Sequence, residues 1–392
     1  MIKTIDQFQL HEKKVFIRAD FNLSIKDGVI TDDTRLKESL PTIEYSIKQG
    51  AKVILASHLG RPKGKRDEKY SLMPVAELLS AILKKDILFP EDCIGDAARK
   101  LALEMRAGDV MLLENLRFHE EEEANDENFS KKLAGLAEVY INDAFGTAHR
   151  AHASTFGMVP FFKEKGMGLL MQKEVKCLSQ LLQSPAKPFV VVLGGAKVSD
   201  KIEIIENLLG QIDALCIGGG MAYTFLKAMG KDIGRSLLEE SKINQAKRII
   251  KRTEEKGIPL LLPVDSVLTE KLEGKIVYHV QSTDRPWGNE MGVDIGPETV
   301  KVFAKHLREA KTIFWNGPMG IFEMPPFDQG TFEVTRIISE VDCFSIVGGG
   351  DSLAAIMKTG LSDHFTHLST GGGASMEFLA GKTLPGIKAL EI

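Results

Sequence analysis

Short apolar runs alternate with longer amphipathic stretches along the whole chain. Runs such as KVFIR, KVILA and PFVVVL are rich in β-branched residues, and the stretches between them carry apolar residues three and four positions apart. The first pattern predicts strands and the second predicts helices. Their alternation is typical of βαβ units. The sequence therefore predicts an α/β fold with parallel sheets covered by helices.

The pattern divides into two similar halves, each predicted to be a doubly wound, parallel-sheet lobe. Strands are predicted in the first half at 14–18, 52–56, 86–89, 110–113 and 139–141. In the second half they are predicted at 189–193, 214–217, 260–263, 276–280, 312–315, 344–347 and 365–368. Helices are predicted between them, at 71–85, 95–108, 199–212, 243–257 and 297–310.

A helical pattern at 171–183 separates the two halves and is followed by the sequence SPAKP. We expect an N-terminal domain at 1–170 and a C-terminal domain at 171–380. A single helix between two sheets can act as a hinge, so the lobes are predicted to move. The tail, 381–392, contains Pro385 and Gly386 before further apolar residues, and we expect it to return to the first domain as an ordered segment.

The two halves end their strands differently. The second half uses glycine pairs and triplets, as in VVVLGG, LCIGGG, SIVGGGDS and LSTGGG, whereas the first half uses arginine, histidine and asparagine. Glycine lets backbone N–H groups approach a phosphate, especially where a helix begins next. Arginine holds an anion with a fork of donors. These two styles predict two phosphorylated ligands, one on each half, as in a two-lobed kinase.

Length and composition limit the number of domains and the kinds of partner. The 392 residues favour two or three domains, and 50 Lys+Arg against 54 Asp+Glu leave a net charge of −4. This net charge does not indicate electrostatic binding to nucleic acid or membrane. The N-terminal sequence lacks the apolar segment of a secretion signal. Because Cys93, Cys177, Cys216 and Cys343 are scattered, we expect buried thiols in a cytoplasmic protein, without a zinc site.

Several familiar motifs are absent or misleading. Gly381-Lys382-Thr383 resembles the end of a P-loop, but Met376 stands where that motif needs glycine. No glycine cluster continues as G-x-G-x-x-G, and the protein-kinase motifs are missing. His149 and His152 lack a partner at metal-ligand spacing. The acidic run at 119–126 is interpreted as a solvated face without chemistry.

Polar residues near the second-half glycines supply candidate nucleotide contacts. Lys197 and Lys201 lie four apart, and we expect both at the start of a helix, facing the same phosphates. The alternative is two surface lysines. Asp351 suits a carboxylate ligand of phosphate-bound Mg²⁺, or it is a helix N-cap. Glu323, after an Asn-Gly-Pro turn, could accept hydrogen bonds from ribose hydroxyls.

In the first half the polar residues at strand ends form a second candidate site. An arginine at a strand end is usually a surface residue, but several that face one crevice predict a site for a small phosphorylated acid. Aspartate and asparagine would orient its hydroxyl group. The set is Asp20, Asn22, Arg35, His58, Arg61, Arg117 and Arg150.

Taken together, these segments closely resemble phosphoglycerate kinases. The resemblance runs in order from about residue 14 to 380 and includes the tail sequence PGI; it is carried by ADFNLS, SHLGRP, LENLRFHEEEEAND, INDAFGTAHRAHAS, LGGAKVSDKI, IGGGMAYTFLKA, FWNGPMGIFE, VGGGDS and STGGGAS. It implies reversible, Mg²⁺-dependent phosphoryl transfer between 1,3-bisphosphoglycerate and ADP, giving 3-phosphoglycerate and ATP in glycolysis. It also implies a monomer.

The resemblance assigns residues to each substrate. For the acid they are Asp20, Phe21, Asn22, Arg35, His58, Leu59, Gly60, Arg61, Arg117 and Arg150. For the nucleotide they are Gly194, Gly195, Lys197, Lys201, Gly218, Gly219, Gly292, Asn316, Pro318, Glu323, Gly349, Gly350, Asp351 and Ser352, with Asp351 on the metal. Ser24 replaces the proline common in the family, and PPFDQGT also departs from its pattern.

Catalysis of phosphoryl transfer is mainly positioning and electrostatic stabilisation. We expect that stabilisation from Arg35, Lys197, Lys201, Mg²⁺ and the backbone N–H groups of 371–373, which are Gly371, Gly372 and Gly373. No catalytic base is needed, because a carboxylate acceptor is already ionised at neutral pH. Closure of the lobes is expected to bring the ligands together and to exclude water.

Two other functions fit part of the pattern. A two-lobed binding protein for small molecules shares the architecture, but it usually carries an export signal and needs neither paired lysines nor a metal carboxylate. A nucleotide-dependent dehydrogenase would be expected to carry G-x-G-x-x-G, which is missing. Binding of an acid or sugar without turnover would favour the first function, and nicotinamide binding would favour the second.

Overall fold

The computed structural model describes residues 2–26 and 28–391. Within it the chain divides into two compact units. Unit 1 comprises Met1–Lys176 and Thr383–Ile392, and unit 2 comprises Cys177–Lys382. Each unit contains a parallel β-sheet with helices, so the predicted α/β fold class is confirmed.

Unit 1 is built on a six-stranded sheet and a short hairpin. Its strands are β1 Lys14–Arg18, β2 Ser24–Lys26, β3 Val29–Asp32, β4 Lys52–Ala56, β5 Ile87–Leu88, β6 Val110–Leu112, β7 Val139–Asn142 and β8 Glu164–Met167. Its helices are α1 Thr34–Lys48, α2 Met73–Leu83, α3 Asp96–Glu104, α4 Glu120–Ala124 and α5 Glu127–Ala134. The next helix, α6 Leu169–Gln183, continues into unit 2.

The main sheet of unit 1 has the order β5-β6-β4-β1-β7-β8, and its pairs are parallel. Central β1 pairs with β4 on one side and β7 on the other, with Phe16 opposite Ile54 and Tyr140. These strands are buried on both faces, as parallel strands covered by helices must be. Their carboxyl ends meet at one edge, where Arg18, Ala56 and Asn142 lie.

Unit 2 follows the same plan with an additional small sheet. Its strands are β9 Phe189–Leu193, β10 Ala214–Ile217, β11 Leu260–Leu261, β12 Asp265–Thr269, β13 Tyr278–Ser282, β14 Met291–Ile295, β15 Thr312–Asn316, β16 Phe344–Gly348 and β17 His367–Ser369. Its helices are α7 Ile202–Leu208, α8 Gly219–Ala228, α9 Ile243–Glu255, α10 Pro297–Glu309, α11 Gln329–Ser339, α12 Gly350–Thr359 and α13 Gly373–Leu379.

The main sheet of unit 2 has the parallel order β11-β10-β9-β15-β16-β17. The chain leaves β9 toward β10 and β11, and later returns to the other side of β9 at β15. The order of the strands therefore reverses between β9 and β15. Ligands of doubly wound folds bind outside the carboxyl ends of the strands at such a switch point.

The small sheet of unit 2 has the antiparallel order β13-β12-β14. The sequence pattern predicted parallel strands throughout, and it missed β12, β14, the edge strand β8 and the hairpin of β2 and β3. The predicted strand at 276–280 lies instead at Tyr278–Ser282, in this antiparallel sheet. Val280 in this strand is 48% exposed. The apolar run at 276–280, which the pattern predicted as a buried strand, is therefore only partly covered.

The tail forms a short helix, α14 Pro385–Lys388, within unit 1. The N–H of Gly386 donates to the carbonyl of Ala148 at 2.8 Å. Leu390 is buried. Among the described residues, we find no helix with the length and apolar character needed to cross a membrane.

Candidate active site

A cluster of arginines lies at the sheet edge of unit 1. Arg18 is buried at the end of β1, and its Nη2 lies 3.2 Å from Nδ1 of His58. Burial and then the charges of Arg18, Arg117, Arg150 and Arg35 hold the pKa of His58 well below its usual range. His58 is therefore neutral at physiological pH, and its Nδ1 accepts from the guanidinium. The cluster concentrates positive charge without a titrating histidine.

His152 is the second histidine in this cluster. Burial, followed by the charges of Arg117, Arg18, Arg150 and His149, lowers its pKa to about 3. Neither His152 nor Arg18 is among the residues that the sequence predicted for the acid site. The pattern of polar and apolar residues does not indicate a binding role for either residue. Arg18 is the last residue of an apolar strand, and His152 precedes a single irregular turn.

Arg18 is held in place by a buried polar chain. Its Nε donates to Ser154 Oγ at 2.8 Å, and that hydroxyl donates to Glu122 at 2.5 Å. The N–H of Ser154 also donates to Glu122, at 2.9 Å. The prediction that the whole acidic run is a solvated face is wrong, because Glu122 is fully buried. The buried face of α4 accounts for the error, since one of its four consecutive glutamates points inward.

Asp20, Asn22 and Arg35 form the part of the cluster expected to orient the ligand. Nη1 of Arg35 donates to the carbonyl of Asn22 at 3.1 Å and lies 3.6 Å from Asp20 Oδ2. Asp20 Oδ1 lies 3.9 Å from His58 Nδ1. The side-chain carbonyl of Asn22 accepts from the N–H of Gly60 at 2.9 Å. These contacts join the end of β1 to α1 and to the loop after β4.

Arg117 has two buried nitrogen atoms that make no hydrogen bond to the described residues. It is 3% exposed, and Nη1 donates to the carbonyl of Gly60 at 2.8 Å. Nε lies 3.3 Å from Glu123, but neither Nε nor Nη2 has a hydrogen-bond partner among the described residues. Burial lowers the pKa of Arg117, although the group stays charged at neutral pH. A buried guanidinium with unused donors favours an anionic ligand.

Three other predicted acid-site residues occupy different environments. Phe21 is fully buried, and its N–H donates to Ser57 Oγ at 2.8 Å. Leu59 is also buried, with its backbone N–H and carbonyl bonded to the side chain of Asn115. Arg61 is exposed and is not among the arginines whose charge acts on His58 or His152. The cluster thus contains Arg18 in addition to the predicted arginines, and the role of Arg61 stays a prediction.

The second candidate site is a cavity of about 420 Å³ in unit 2. It lies at the carboxyl ends of β9, β15 and β16, at the topological switch point. Its lining consists of Gly194, Gly195, Ala196, Lys197, Asp200, Lys201, Asn316, Gly317, Pro318, Gly349, Gly350, Asp351, Ser352, Gly372, Gly373 and Met376. Strand ends distant in the sequence therefore converge on one site.

Two glycines in this lining are required by the backbone. Gly317 and Gly349 both have φ of +94°, which L-residues with a side chain rarely adopt. A Cβ on Gly317 would collide with the backbone of Gly194, and one on Gly349 would lie 2.7 Å from Nδ2 of Asn316. The loops after β9, β15 and β16 can therefore pack closely and leave backbone N–H groups accessible at the start of α12.

Lys201 is the partly buried cation of the cavity. Its Nζ donates to Oδ1 of Asn316, and Nδ2 of Asn316 donates to the carbonyl of Gly348 at 2.6 Å. Burial lowers the pKa of Lys201, while the nearby carboxylates of Asp200 and Asp351 oppose this shift. An ammonium held at the end of β15 can bind a phosphate as a point charge.

The predicted helical placement of Lys197 is wrong. Helix α7 begins only at Ile202, after a loop and turn, and Lys201 is its N-cap residue. Gly195, with φ of +87°, redirects the chain before the helix can start. Both lysines nevertheless line the same cavity.

Asp351 is the second residue of α12, and Gly349 is the N-cap. The alternative interpretation of Asp351 as an N-cap is therefore wrong. Its carboxylate is exposed in the cavity lining, at the end of the helix where the dipole is positive. The hydroxyl of neighbouring Ser352 accepts from the N–H of Gly317 at 2.6 Å. Ser352 therefore supports the loop after β15.

Several predicted nucleotide residues lie outside this lining: Gly218, Gly219, Gly292, Glu323 and Gly371. Gly219 N–H donates to the carbonyl of Met319 at 3.0 Å, and a Cβ on Gly219 would meet the backbone of Gly195. Gly292 donates to Ser236 Oγ at 2.8 Å and packs against Tyr223. Glu323 is exposed. Conversely, the sequence gave no role to Asp200, Gly317 or Met376, which do line the cavity.

A larger cavity in unit 2, of about 680 Å³, contains none of the predicted residues. It lies against β13, α10 and α11, and apolar side chains such as Val280, Val300 and Ile337 line it. Size alone therefore does not locate the site in this unit. The smaller cavity has the convergent lysines and accessible backbone that phosphate binding requires, and its carboxylates suit a phosphate-bound Mg²⁺.

Comparison with known proteins shows which family the chain belongs to. The family model described as phosphoglycerate kinase matches residues 5–382. The phosphoglycerate kinase of Acidobacterium capsulatum is 53% identical over 397 aligned residues, which cover 99% of this chain and 98% of that protein. The phosphoglycerate kinase of Clostridium novyi is 52% identical, with 99% of this chain and 98% of that protein covered.

Solved structures give the same result. The phosphoglycerate kinase of Coxiella burnetii superposes with a TM-score of 0.91 at 43% identity, covering 100% of this chain and 99% of that one. That of Pyrococcus horikoshii superposes with a TM-score of 0.86 at 36% identity, covering 100% of this chain and 98% of that one. The similarity therefore extends over both units.

Proposed function

The chain belongs to the phosphoglycerate kinase family, and on that premise we propose which residues carry the family's reaction. The reaction is reversible, Mg²⁺-dependent transfer of a phosphoryl group between 1,3-bisphosphoglycerate and ADP, giving 3-phosphoglycerate and ATP in glycolysis. We assign the acid to unit 1, as the N-terminal domain with the tail, and the nucleotide to unit 2.

The observation that carries the acid assignment is the arginine cluster of unit 1. Its cations surround two histidines whose pKa values are lowered, and Arg117 keeps an unpartnered, buried Nη2. A small phosphorylated carboxylate supplies the negative charge and the acceptors that this cluster needs. Asp20 and Asn22 then orient its hydroxyl group, and the remaining contacts come from Phe21, Arg35, His58, Leu59, Gly60, Arg61, Arg117 and Arg150.

In unit 2 the phosphates of the nucleotide occupy the glycine-lined cavity. Lys197 and Lys201 supply positive charge, and the amides after β9 and at the start of α12 donate hydrogen bonds. We extend the site beyond this cavity for the adenosine, where Gly218, Gly219, Gly292 and Pro318 allow close approach. The exposed carboxylate of Glu323 accepts from the ribose.

The residues present fit the Mg²⁺ that the family uses. Magnesium prefers hard oxygen ligands and usually binds through one or two carboxylates together with substrate phosphates. Asp351 and Asp200 both present carboxylates to the cavity, beside the proposed phosphate position. Asp351 would hold the ion, which neutralises charge on the phosphates when it is bound.

The protein's own residues position the reactants and stabilise charge. In the direction of 1,3-bisphosphoglycerate formation, a carboxylate oxygen of 3-phosphoglycerate forms a bond to the γ-phosphorus as the bond to ADP breaks. Arg35 stabilises the acid's reacting end, while Lys197 and Lys201 stabilise the phosphoryl oxygens. We include the backbone N–H groups of Gly371, Gly372 and Gly373 in this role. No proton is transferred, because the acceptor is already ionised.

We further propose that the protein works as a cytoplasmic monomer that binds neither nucleic acid nor membrane. Its place in glycolysis supports the location, since the substrates of that pathway are small and water-soluble. The net charge of −4 supports the absence of polyanionic partners. Sedimentation analysis at working concentration tests the monomer.

The residue assignment is tested by measuring both substrates on two variants. Arg150→Ala should lose at least about tenfold in 3-phosphoglycerate affinity and keep its ADP affinity, because one of the proposed anion-binding arginines is removed. Lys197→Ala should show the opposite pattern. Isothermal titration calorimetry measures the dissociation constants, and a coupled assay with 3-phosphoglycerate and Mg-ATP measures turnover.

Lys227→Ala is the matched control, because Lys227 is an exposed lysine at the end of α8, outside the cavity. Its binding constants should equal those of the wild type. If Arg150→Ala and Lys197→Ala each weaken both substrates equally, the division of substrates between the two units is wrong.

A further inference from the structure

Asp92, Cys93 and His119 meet in unit 1 although they come from separate segments. Asp92 and Cys93 precede α3, and His119 is the N-cap residue of α4. One ligand atom from each residue can be chosen so that all of them lie within 4.8 Å of one another. Cys93 is fully buried, whereas Asp92 and His119 are half-buried. The cluster is therefore open on one side.

The donor set matches a borderline-soft transition metal. Thiolate, imidazole and carboxylate are the ligands that zinc uses, at about 2.0–2.3 Å from the ion. Zinc is tetrahedral in such sites, so two ligand atoms lie about 3.3–3.8 Å apart. The Asp92–His119 pair, at 2.7 Å, must therefore widen, and any pair near the 4.8 Å limit must close by about 1 Å. The other three cysteines do not belong to such a group among the described residues.

The surroundings also favour a cation. Nε2 of His119 lies 2.7 Å from Oδ1 of Asp92, and Nδ1 lies 3.9 Å from Oε2 of Glu121. A carboxylate near the far nitrogen of a histidine is the usual outer partner of a metal-bound imidazole. Burial, followed by the charges of Asp92 and Glu122, raises the pKa of the Cys93 thiol well above its usual range. The cluster therefore has more anionic than cationic groups around its thiol.

We propose that Asp92 Oδ, Cys93 Sγ and His119 Nε2 form a binding site for Zn²⁺, with water as the fourth ligand. Binding releases the thiol proton of Cys93 and the proton shared by His119 and Asp92 to solvent, because metal ligands must be deprotonated. The ion then replaces the Asp92–His119 hydrogen bond and joins the loop before α3 to α4. This proposal is independent of the assignment of substrates to residues.

The site has a structural consequence for the acid cluster. His119 lies two residues after Arg117, and α4 contains Glu122, which supports Arg18 through Ser154. Zinc should therefore raise the thermal stability of the protein. We expect the midpoint of unfolding to fall when a chelator removes the metal from the full-length protein.

Cobalt(II) provides the sharpest test, because a thiolate bound to Co²⁺ gives a charge-transfer band in the near ultraviolet. Metal-free, full-length protein is titrated with Co²⁺ and then with Zn²⁺, which should displace the cobalt. The wild type should give the band, and Cys93→Ser should not. Asp351, the Mg²⁺ candidate of unit 2, cannot contribute, because oxygen ligands produce no such band.

Cys343→Ser is the matched control, since Cys343 is a partly buried thiol in unit 2; it should keep the band. Glu121→Gln should weaken Co²⁺ binding by about 10-fold, as loss of an outer partner does. If Cys93→Ser fails to fold, His119→Asn decides the question, because it retains the thiol. It should lower the affinity for Co²⁺ at least as much as Glu121→Gln does. The proposal is overturned if the folded wild type gives no band, if the band survives in Cys93→Ser, or if His119→Asn binds as the wild type does.

Discussion

The buried guanidinium of Arg18 donates from Nε to Oγ of Ser154 at 2.8 Å, and this hydroxyl is its link to the buried carboxylate of Glu122. All three groups are buried, and the hydroxyl satisfies a donor of Arg18 and an acceptor of Glu122 at the same time. The hydroxyl holds Nε of Arg18 in place, and Nη2 of the same guanidinium lies 3.2 Å from Nδ1 of His58. The rigidity of the arginine cluster therefore depends on an uncharged residue.

Ser154→Ala should destabilise the protein and weaken binding of the acid. Removing the hydroxyl leaves Arg18 Nε without its buried partner and Glu122 with only the hydrogen bond from the N–H of residue 154, which costs about 1–3 kcal/mol in free energy of unfolding. Urea denaturation measures this loss, and the KM for 3-phosphoglycerate should rise while the KM for ATP stays constant. Ser46→Ala is the control, because Ser46 is equally buried but bonds only to the carbonyl of Thr42 within α1.

The lowered pKa of His152 predicts acid sensitivity. The folded state holds this pKa at about 3, whereas unfolded chains have the ordinary value of about 6.5. Between these values the unfolded state binds more protons, so the free energy of unfolding falls as the pH drops through this range. His152→Asn should remove about 2 kcal/mol of the loss between pH 7.5 and pH 4.5. Urea denaturation at both pH values checks this, and equal losses in both proteins would contradict it.

The sequence predicted those features of the fold that depend on local pattern. The strands at Lys14–Arg18, Lys52–Ala56 and Phe189–Leu193 were predicted with their observed bounds, because buried parallel strands are continuous apolar runs. The family resemblance was confirmed over residues 5–382. The antiparallel strands β12 and β14 were missed, since polar residues or glycine interrupt their apolar runs, as in DSVLT and MGVDI.

The parts of the sites that the sequence missed depend on contacts between distant segments. In the sequence, Arg18 is only a charged residue at the end of an apolar strand. Its role becomes visible when folding places Ser154 and His58 beside it. Glu122 is indistinguishable by type from the glutamates around it, and only the packing of α4 buries it. The sequence separation of Cys93 and His119 likewise conceals their proximity. The residue types therefore predicted which kinds of ligand the protein binds, whereas only the folded structure shows which residues lie together in a site.

Lys201→Ala should impair nucleotide use more than acid binding. Lys201 lines the nucleotide cavity and donates to Asn316, so its removal deletes a phosphate-binding charge and frees the side chain of Asn316. We expect kcat to fall by on the order of 10²-fold, typical of a lost electrostatic contact in the transition state. The coupled assay and 3-phosphoglycerate titration measure the two effects. An unchanged kcat would exclude Lys201 from the charge stabilisation proposed for it.

Asp351→Asn should weaken the dependence of nucleotide binding on Mg²⁺. The substitution keeps the shape of the side chain but removes the charge that the ion requires. Affinity for Mg-ADP should fall by about tenfold or more, a loss that even an outer metal partner can cause, and affinity for metal-free ADP should not fall. Calorimetry with and without Mg²⁺ separates the two. Equal losses in both titrations would indicate that Asp351 contacts the nucleotide itself.

Arg35→Ala tests the catalytic role proposed for unit 1. Arg35 extends from α1, with Nη1 3.1 Å from the carbonyl of Asn22, and its side chain remains 35% exposed. Because its guanidinium is expected to stabilise charge mainly in the transition state, kcat should fall by on the order of 10³-fold. ADP affinity should stay unchanged, since the nucleotide is assigned to unit 2. Arg99→Ala provides the control, because exposed Arg99 pairs with Asp96 on α3 and, among the described residues, with no other carboxylate. A near-normal kcat in Arg35→Ala would remove Arg35 from the catalytic residues, whereas a change confined to the KM for 3-phosphoglycerate would reduce its role to binding.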